Sequence, residues 1–225
     1  MINFALKIQE NKTLLKLYRM VSSLIQVIPY YVMEEFVTDP QKLNLPLKIK
    51  DSRICWLTRD DMGYLGNHAE SNQTTEELIG LLEHGCLCLA AKCKGEIAAY
   101  SWCDLKNMEY KGRVVPLKRN EAYLFDARTY QAFRGKNLAP YVRYELCKFL
   151  RKRGIGRFFS ISLWSNSASM KFKQKLGAKP TELFLYVGLF RKFRMHFRLR
   201  NLASVRSTSS QYEISEPKRY AGCDR

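Results

Sequence analysis

The apolar residues between positions 86 and 200 change their spacing several times, and the order of the resulting segments restricts the folds open to this chain. Five segments have the composition of β-strands: residues 86–92, 96–103, 121–129, 157–164 and 181–190. Helical spacing from Leu138 and a helix start at Asn166 or Ser165 predict two helices among the last three strands. Alternation after Phe193 predicts a final strand. The order of predicted elements in this half of the chain is therefore a hairpin, a strand, a helix, a strand, a helix and a closing hairpin.

The remaining segments predict how the chain is organised outside this core. Residues 13–36 have a helical composition, with Pro29 as a break or kink, and residues 37–52 form a polar linker. Residues 104–120 are predicted to form a polar, basic loop. We therefore divide the chain into three parts: an N-terminal helical extension and linker at 1–50, one domain at 51–200 and a Ser-rich mobile tail at 201–225.

The positive charge of the chain is concentrated in one stretch. The formal net charge is +17, and residues 128–200 hold 18 Lys and Arg against only two acids. Residues 1–127 are neutral overall. Such a concentration predicts either a polyanionic partner for this part of the fold or a set of solvated basic faces.

Length and composition exclude several classes of protein. The 225 residues fit one domain, and a hydrophobic content of 46% excludes a fully disordered chain. No apolar run approaches the roughly 20 residues of a membrane span, and the N-terminus lacks the features of a signal peptide. Seven irregularly spaced cysteines predict reduced thiols rather than a disulfide framework. We therefore expect a cytoplasmic protein.

The segment YQAFRGKNLA, at residues 130–139, connects a predicted strand to a predicted helix and carries the sharpest chemical signal. A helix start presents free backbone N–H groups and the positive end of the helix dipole, which together bind anions. Gly135 allows close approach of a phosphate, and Pro140 falls in the first helical turn, where its missing N–H costs nothing. Arg134 and Lys136 add positive charge. The segment therefore predicts a phosphate-binding site.

Two blocks of the sequence resemble the Gcn5-related N-acetyltransferase (GNAT) family. Residues 134–139 look like the family's Arg/Gln-x-x-Gly-x-Gly/Ala signature, whose loop and helix start hold the pyrophosphate of acetyl-CoA. A second block resembles the segment that packs along the cofactor arm in this family. Its residues are Asn166, Ser169, Phe172, Leu176 and Gly177. The two blocks have the family's usual separation, and the resemblance covers roughly residues 53–190.

The resemblance implies a fold, a co-substrate and a set of binding residues. The fold is an α/β (α+β) domain whose mixed, mostly antiparallel central sheet is flanked by helices and opens around a V-shaped cleft. The co-substrate is acetyl-CoA and the acceptor is an amine. The implied cofactor-binding residues are Ala127, Thr129, Arg134, Gly135, Lys136, Asn137, Leu138, Ala139, Asn166, Ser169 and Phe172.

Three positions depart from the family pattern. Asn137 replaces the central Gly of the signature, although Asn tolerates a left-handed backbone better than most residues. Ala178 replaces a Phe after the second block. Lys173 stands where the family often has a Tyr that acts as general acid.

Acetyl transfer to an amine requires a base for the amine, a polarised carbonyl and a proton for the leaving thiolate. Asp126 resembles an acid that is frequent just ahead of the pyrophosphate loop, and we favour it for amine binding or proton removal. Glu121 resembles the base of the histone-modifying branch and is the second candidate. Tyr130, Tyr141 and Tyr144 are candidates for protonating the thiolate, and water is an equal alternative.

The predicted function is an acyl-CoA-dependent N-acyltransferase that moves acetyl from acetyl-CoA to the primary amine of a small acceptor. The positive charge exceeds what CoA requires, so an anionic acceptor such as a nucleotide-linked amino sugar is one option. A longer acyl group, carried by CoA or an acyl carrier protein, is an alternative whose pocket would lie beside Trp102 and Phe125. A non-catalytic basic module that binds nucleic acid or membrane through residues 186–200 is another.

Other features leave their interpretation open or argue against a site. Alternate residues of the last predicted strand are basic and form either a site for an anionic acceptor or surface, or a solvated face: Arg194, His196, Arg198 and Arg200. Four cysteines and a histidine lack the paired spacing of zinc knuckles, so no metal is expected: Cys86, Cys88, Cys93, Cys103 and His84. We expect no nucleic acid partner, and a homodimer is one option for the assembly.

Overall fold

The computed structural model describes residues 24–36, 52–190 and 192–202. Ten strands are present in these ranges: β1 (Ile25–Glu35), β2 (Ser52–Trp56), β3 (Leu87–Cys93), β4 (Glu96–Asp104), β5 (Asn107–Tyr110), β6 (Arg113–Pro116), β7 (Glu121–Thr129), β8 (Arg157–Leu163), β9 (Lys179–Leu189) and β10 (Phe193–Asn201). The helices of the same ranges are α1 (Arg59–Asn67), α2 (Thr75–Glu83), α3 (Leu138–Arg151) and α4 (Ser167–Lys175), with a 3₁₀ turn at Gln131–Phe133. None of these helices is long and apolar enough to cross a membrane.

Eight strands form one sheet in the order β10-β9-β1-β8-β7-β4-β3-β2. All neighbouring strands are antiparallel except β7 and β8, which are parallel. The prediction of a mixed, mostly antiparallel sheet flanked by helices is therefore confirmed. The five strands predicted between residues 86 and 190 correspond to β3, β4, β7, β8 and β9, and their boundaries agree with the structure to within two residues.

The parallel pair β7 and β8 is joined only at its beginning. Pairing runs from Glu121 opposite Arg157 to Tyr123 opposite Phe159 and then ends. Beyond this point β7 continues beside β4, while β8 continues beside β1. The two strands therefore separate in the middle of the sheet, and their facing edges carry backbone groups that the sheet does not use.

The structure contradicts the helical prediction for the part of residues 13–36 that it describes. Residues 25–35 form β1, which is paired with β8 on one side and with β9 on the other. Tertiary context overrides the local helical signal here, because both neighbours offer hydrogen bonds and β-branched and aromatic residues such as Val32 and Tyr30 pack well in a buried strand. Predictions for residues 1–23, 37–51 and 203–225, including the linker and the tail, lie outside the described residues.

Helices cover both faces of the central strands. Leu138, Val142 and Leu146 of α3 are buried with Leu89 and Leu124 on one face. On the other face α1 and α2 pack against β3, β4 and the residue after β7: Met62, Leu65, Leu78, Cys88, Trp102 and Tyr130 form part of this cluster. Leu89 and Cys88 are adjacent in β3 and point to opposite faces, as the period of a strand requires. The separation of β7 and β8 therefore lies inside a well-packed scaffold.

The predicted loop at 104–120 contains the hairpin of β5 and β6, so that prediction is wrong for residues 107–116. The hairpin packs on an aromatic cluster of β1 and β9, where the rings of Tyr110 and Tyr30 have their centroids 4.7 Å apart. The period-two prediction for β10 is confirmed. Its basic side includes His196, whose Nδ1 lies 3.0 Å from the Tyr30 hydroxyl oxygen. Its apolar side is exposed, with Phe193 63% accessible.

Candidate functional site

A cleft of about 950 Å³ opens where β7 and β8 separate. Its walls are the second half of β7, the end of β8, the start of α3 and one side of α4, and Tyr110 of the β5–β6 hairpin reaches it from the sheet's other side. The volume is at the upper end of the roughly 300–1,000 Å³ of small-molecule sites. The cleft is therefore large enough for an extended ligand.

The β7 wall contains an irregularity at Asp126. This residue has a φ of +38°, and the register of β7 against β4 shifts between Tyr100 and Trp102, opposite it. Asp tolerates the left-handed region better than most residues, and such a bulge re-aims a side chain. Asp126 lines the cleft, and burial raises the pKa of its carboxyl, although Arg128, a hydrogen bond from Tyr100 and Arg143 oppose the shift.

Two other predicted residues of β7 line the cleft, Ala127 and Thr129. Thr129 Oγ1 is buried and has no hydrogen-bond partner among the described residues. A buried hydroxyl without a partner is costly, so a ligand that hydrogen-bonds it would be stabilised. This side of the cleft therefore has the small side chains and the free polar groups that suit an extended polar chain.

The start of α3 forms the second wall. Gly135 has a φ of +81°, and no atom lies within 4 Å of the position where a β-carbon would be. Asn137, at the N-cap of α3, has a φ of +55° and makes no side-chain capping bond. The first backbone N–H groups of α3, those of Leu138 and Ala139, have no partner within the helix, since helix geometry leaves them unpaired. Open space and unpaired donors coincide here, as an anion site requires.

Arg134 lies at this wall but is held by an acid. Its Nη2 donates to Glu70 Oε2 at 2.8 Å, and Glu70 Oε1 accepts from the backbone N–H of Gln131 at 2.8 Å. The guanidinium is 60% exposed, so the ion pair is screened and exchangeable. Lys136 does not line the cleft, and its Nζ lies 5.6 Å from the centroid of the Phe133 ring.

Helix α4 supplies the third wall. Asn166 caps the helix by accepting from the N–H of Ser169 at 2.9 Å, as predicted. Asn166, Ser169 and Phe172 all line the cleft. Exposed basic residues from α4, Lys171 and Lys175, also line it. They were missed among the predicted site residues, although the charge of residues 128–200 indicated them.

Lys173 is the buried cation of this wall. Its side chain is 3% exposed and its Nζ donates to Ile161 O at 2.7 Å and to Ser162 Oγ at 2.8 Å. Burial lowers its pKa to about 7, and the effects of Glu35 (raising) and Arg143 (lowering) are smaller. Ser169, Phe172 and Lys173 have the spacing of one helix face. The sequence signal for Lys173 is therefore a lysine on the face of the helix that packs against the sheet.

Behind the cleft, Arg143 of α3 pairs with Glu35 of β1. The two side chains are each 1% exposed, and Nε of Arg143 lies 3.7 Å from Oε2 of Glu35. Arg143 also lines the cleft. Neither residue carried a sequence signal, because they are more than 100 positions apart and the strand that contains Glu35 was predicted to be helical.

Several predicted catalytic residues lie elsewhere. Glu121 is at the closed end of the β7–β8 pair, does not line the cleft and accepts from Arg157 at 2.9 Å. Tyr130 is buried, stacked on His68 with ring centroids 3.6 Å apart, and does not line the cleft. Tyr141 and Tyr144 are also outside the lining. Of the predicted catalytic set, only Asp126 faces the cleft.

Within the described ranges, no group of three or more His, Cys, Asp or Glu is arranged to hold a metal ion. Three of the four cysteines considered for a metal site, Cys86, Cys88 and Cys103, are buried in the hydrophobic core. Burial raises the pKa of Cys86 and Cys103 to about 12 in each case, which keeps both thiols protonated near neutral pH.

Comparison with known families agrees with this geometry. The model of the family described as "Acetyltransferase (GNAT) family" matches residues 51–178, more than half of the chain. The chain belongs to the GNAT acetyltransferase family. The match begins at β2, so β1 lies outside the part that the family model describes. A search of curated proteins finds no match.

Solved GNAT structures share the fold. A GNAT-family acetyltransferase from Novosphingobium aromaticivorans is 19% identical with a TM-score of 0.51, over 73% of this chain and 64% of its own. A GCN5-related N-acetyltransferase-like protein from Streptococcus suis is 15% identical with a TM-score of 0.51, over 80% and 68%. A tandem GNAT protein from the clavulanic acid biosynthesis pathway is 10% identical with a TM-score of 0.55, over 72% and 53%. The chain thus spans a little under two thirds of the first of these proteins.

GNAT proteins in general use acetyl-CoA as co-substrate, and the residues present fit it. The open space beside Gly135 and the unpaired N–H groups of α3 suit a pyrophosphate. The unpartnered Thr129 hydroxyl and the free edge of β7 suit the amides of the pantetheine arm. This cleft is therefore the candidate site for the donor.

Proposed function

We propose that this protein transfers an acetyl group from acetyl-CoA to the primary amine of a small acceptor. The observation that carries the proposal is the cleft between β7 and β8, which has an anion site at one wall and the raised-pKa carboxyl of Asp126 at another. A donor bound by its phosphates and an amine beside Asp126 would meet where the strands separate. No covalent enzyme intermediate is required.

Each wall of the cleft has a task in this proposal. Backbone N–H groups at residues 135–139 hold the pyrophosphate, and Arg134, Lys171 and Lys175 add positive charge around it. The free edge of β7 pairs with the pantetheine arm and offers an N–H to the thioester oxygen. Asp126 orients the neutral amine and receives the proton that its nitrogen loses as the amide forms. Most of the rate gain comes from holding the two reactants together.

Asp126 is the preferred base over Glu121 for geometric reasons. Asp126 lies beyond the last residue pair of β7 and β8, where the strands have separated, and faces the cleft. Glu121 lies within the paired part, and its carboxylate is occupied by Arg157 and by the N–H of Lys118. A base must reach the proton that it removes.

An acetyl group suits the cleft better than a long acyl chain. Trp102 is fully buried and its ring is stacked on that of Phe125, with centroids 6.2 Å apart. The space between Trp102 and Phe125 is therefore filled by protein, although Phe125 also lines the cleft. We infer an anionic acceptor, because 18 basic residues in 128–200 exceed the charge that CoA neutralises.

The test is binding of acetyl-CoA followed by transfer to a panel of primary amines. A ligand that binds only the native state must raise the melting temperature. Stabilisation by acetyl-CoA, and a higher Michaelis constant for it in Arg134→Ala with little change in turnover, would support the proposal. An unchanged melting temperature at saturating acetyl-CoA would refute it.

A further inference from the structure

One side of the cleft has no task in the proposed function. The cleft passes through the sheet, since its lining includes Leu138 of α3 on one face and Tyr110 of β5 on the other. The candidate anion site beside Gly135 lies on the α3 face, where the phosphates of the donor would bind. The side that faces the β5–β6 hairpin therefore remains for the acceptor.

The hairpin side of the cleft is lined by rings and aliphatic side chains. Strand β5 packs on both β7 and β8. Besides Tyr110, this side includes Tyr123 and Phe125 of β7 and Ile161 and Leu163 of β8, which all pack in one hydrophobic cluster. None of the five is charged. Such a wall favours a ligand group with apolar surface over a hydrated polar chain, because the contact removes apolar surface from water on both sides.

The rings of this side are held in fixed orientations by their neighbours. The rings of Tyr123 and Phe125 are nearly parallel, with planes 13° apart and centroids 5.4 Å apart. Tyr110 packs on Tyr30, with ring centroids 4.7 Å apart. Tyr110 and Phe125 are also partly exposed, so each ring keeps some surface for a ligand. A flat ring, or the apolar face of a sugar ring, is the group that contacts such surfaces most extensively.

A cation without a carboxylate partner lies beside Tyr110. Arg113 is directly opposite Tyr110 in the hairpin, so the two side chains are on the same face. The guanidinium carbon of Arg113 lies 4.2 Å from the centroid of the Phe184 ring, and none of the ion pairs among the described residues includes this arginine. A guanidinium that stacks on a ring still offers N–H donors to a carboxylate or phosphate. Arg113 is therefore suited to an anionic group on the acceptor.

The position of Asp126 limits the distance between the ring and the amine of the acceptor. Phe125 and Asp126 are consecutive, with Cα atoms about 3.8 Å apart, and both line the cleft. The left-handed backbone of Asp126 interrupts the regular alternation of β7. A ring against Phe125 and an amine at Asp126 are therefore separated by only a few bonds.

We propose that the acceptor is a primary amine carried on a ring with an apolar face, directly or through a short spacer, and that the ring also bears an anionic group. This rests on the proposed function. The ring contacts Tyr110 and Phe125, the anionic group binds Arg113, and the amine reaches Asp126. Phenylalkyl amines and amino sugars both supply such a ring. Polycationic amines do not fit, because Arg113 and Lys111, whose Nζ lies 5.0 Å from the centroid of the Tyr186 ring, repel them.

The experiment compares matched primary amines as acceptors for the full-length protein at saturating acetyl-CoA. Tyramine and its phosphate ester supply an aromatic ring, glucosamine and glucosamine 6-phosphate a sugar ring, and ethanolamine and phosphoethanolamine no ring. We expect kcat/KM for one phosphorylated ring amine to exceed that for phosphoethanolamine roughly 10- to 100-fold, and that for its own unphosphorylated form about tenfold. The preferred ring amine distinguishes the two sources of the ring.

Variants test the two contacts separately. Tyr110→Leu keeps an apolar side chain against Tyr30 and removes the ring, so KM for the preferred ring amine should rise roughly tenfold while KM for acetyl-CoA stays the same. Arg113→Met should remove most of the preference for the phosphorylated form. Arg119→Met is the matched control, since Arg119 is exposed and does not line the cleft.

The outcomes separate this inference from the proposed function. If acetyl-CoA raises the melting temperature of the parent and the variants but no ring amine is acetylated faster than phosphoethanolamine, the acceptor class is refuted and the donor assignment stands. Unchanged KM values for the acceptor in both Tyr110→Leu and Arg113→Met would also refute it. If acetyl-CoA stabilises none of these proteins, the proposed function fails as well.

Discussion

Two features of Asp126 are energetically unfavourable, and a carboxylate in a regular surface strand has neither of them. Its backbone is left-handed, and its carboxyl is buried enough to raise the pKa. Residues held in such conformations cluster at functional sites, where the surrounding structure maintains them. The raised pKa also brings the carboxylate closer to the value that suits a general base.

Replacing Asp126 with Asn keeps the shape of the side chain and removes its charge. We expect turnover to fall by roughly two to four orders of magnitude, the usual contribution of a positioned base, with little change in acetyl-CoA affinity. A base acts in its ionised form, so the parent's activity should rise with pH through a midpoint above the ordinary pKa of Asp, and the variant should lose this rise. Steady-state kinetics across pH measure both effects.

Glu121→Gln is the comparison for this experiment, since Glu121 is paired with Arg157 outside the cleft. Its activity should remain within a few fold of the parent. A large loss in Glu121→Gln together with an active Asp126→Asn would reverse the assignment of the base.

The burial of Lys173 leads to a prediction about protein stability that can be tested without a ligand. Burial lowers its pKa from 10.5 to about 7, so between these values the unfolded chain holds a proton that the folded chain has released. Its contribution to the free energy of unfolding therefore rises with pH across this window and is least favourable below it. Relative to Lys173→Met, the parent should gain on the order of 3–4 kcal/mol between about pH 6.5 and pH 10.

Urea unfolding of the two proteins at several pH values checks this. The difference between their free energies of unfolding isolates Lys173 from the other titrating groups. A difference that stays constant with pH would mean that the amine is hydrated and titrates normally.

At the scale of elements, β1 and α3 are connected by the buried pair of Glu35 and Arg143. Removing one partner of a buried pair leaves an uncompensated charge, which costs roughly 3–5 kcal/mol. We expect Glu35→Leu to destabilise the protein by about that amount in urea unfolding. Glu35→Leu combined with Arg143→Met should recover most of the loss, because the second change removes the unpaired charge. A double variant as unstable as the single one would contradict this.

The sequence predicted the elements whose signal is local and failed where the partner is distant. Strand β7, helix α3 and the Asn166 cap follow from periodicity and capping chemistry in a few neighbouring residues. Strand β1 was predicted as helix because its strand character depends on β8 and β9, which lie more than 100 residues later. The hairpin of β5 and β6 was missed because its sequence is polar and basic.

The residues of the candidate site also divide into those with a local sequence signal and those whose partner is distant in the chain. Gly135, Asn137 and Ser169 belong to local motifs, and the structure finds them on the cleft. The pairing of Glu35 with Arg143 and the capture of Arg134 by Glu70 join distant segments. No spacing in one sequence reveals such a pair. The tyrosines predicted for the leaving group, Tyr130, Tyr141 and Tyr144, do not line the cleft, since chain proximity to the loop does not determine which face a side chain occupies.

At the scale of the whole molecule, charge and shape act together. Six of the 18 basic residues of 128–200 line the cleft: Arg128, Arg134, Arg143, Lys171, Lys173 and Lys175. A field of this sign raises the local concentration of an anionic ligand and is screened by salt. We expect CoA affinity to fall about tenfold between roughly 0.05 and 0.5 M salt.

Calorimetric titration at several salt concentrations measures this slope. Dephospho-CoA, which lacks the ribose phosphate, is the matched ligand and should show a shallower slope. Equal slopes for the two ligands would mean that the field does not act on the phosphates.

The place of β1 between β8 and β9 has a consequence for how the protein is made. A ribosome adds roughly 5–20 residues per second, so about six to thirty seconds pass between the emergence of β1 and that of its two neighbours. During that time an apolar segment waits without either of the strands that will flank it. An interior position of the sheet is therefore filled by a strand that is synthesised before the other described strands and whose two partners come after residue 156. Translation speed and access to chaperones should decide how much of this protein reaches its native state.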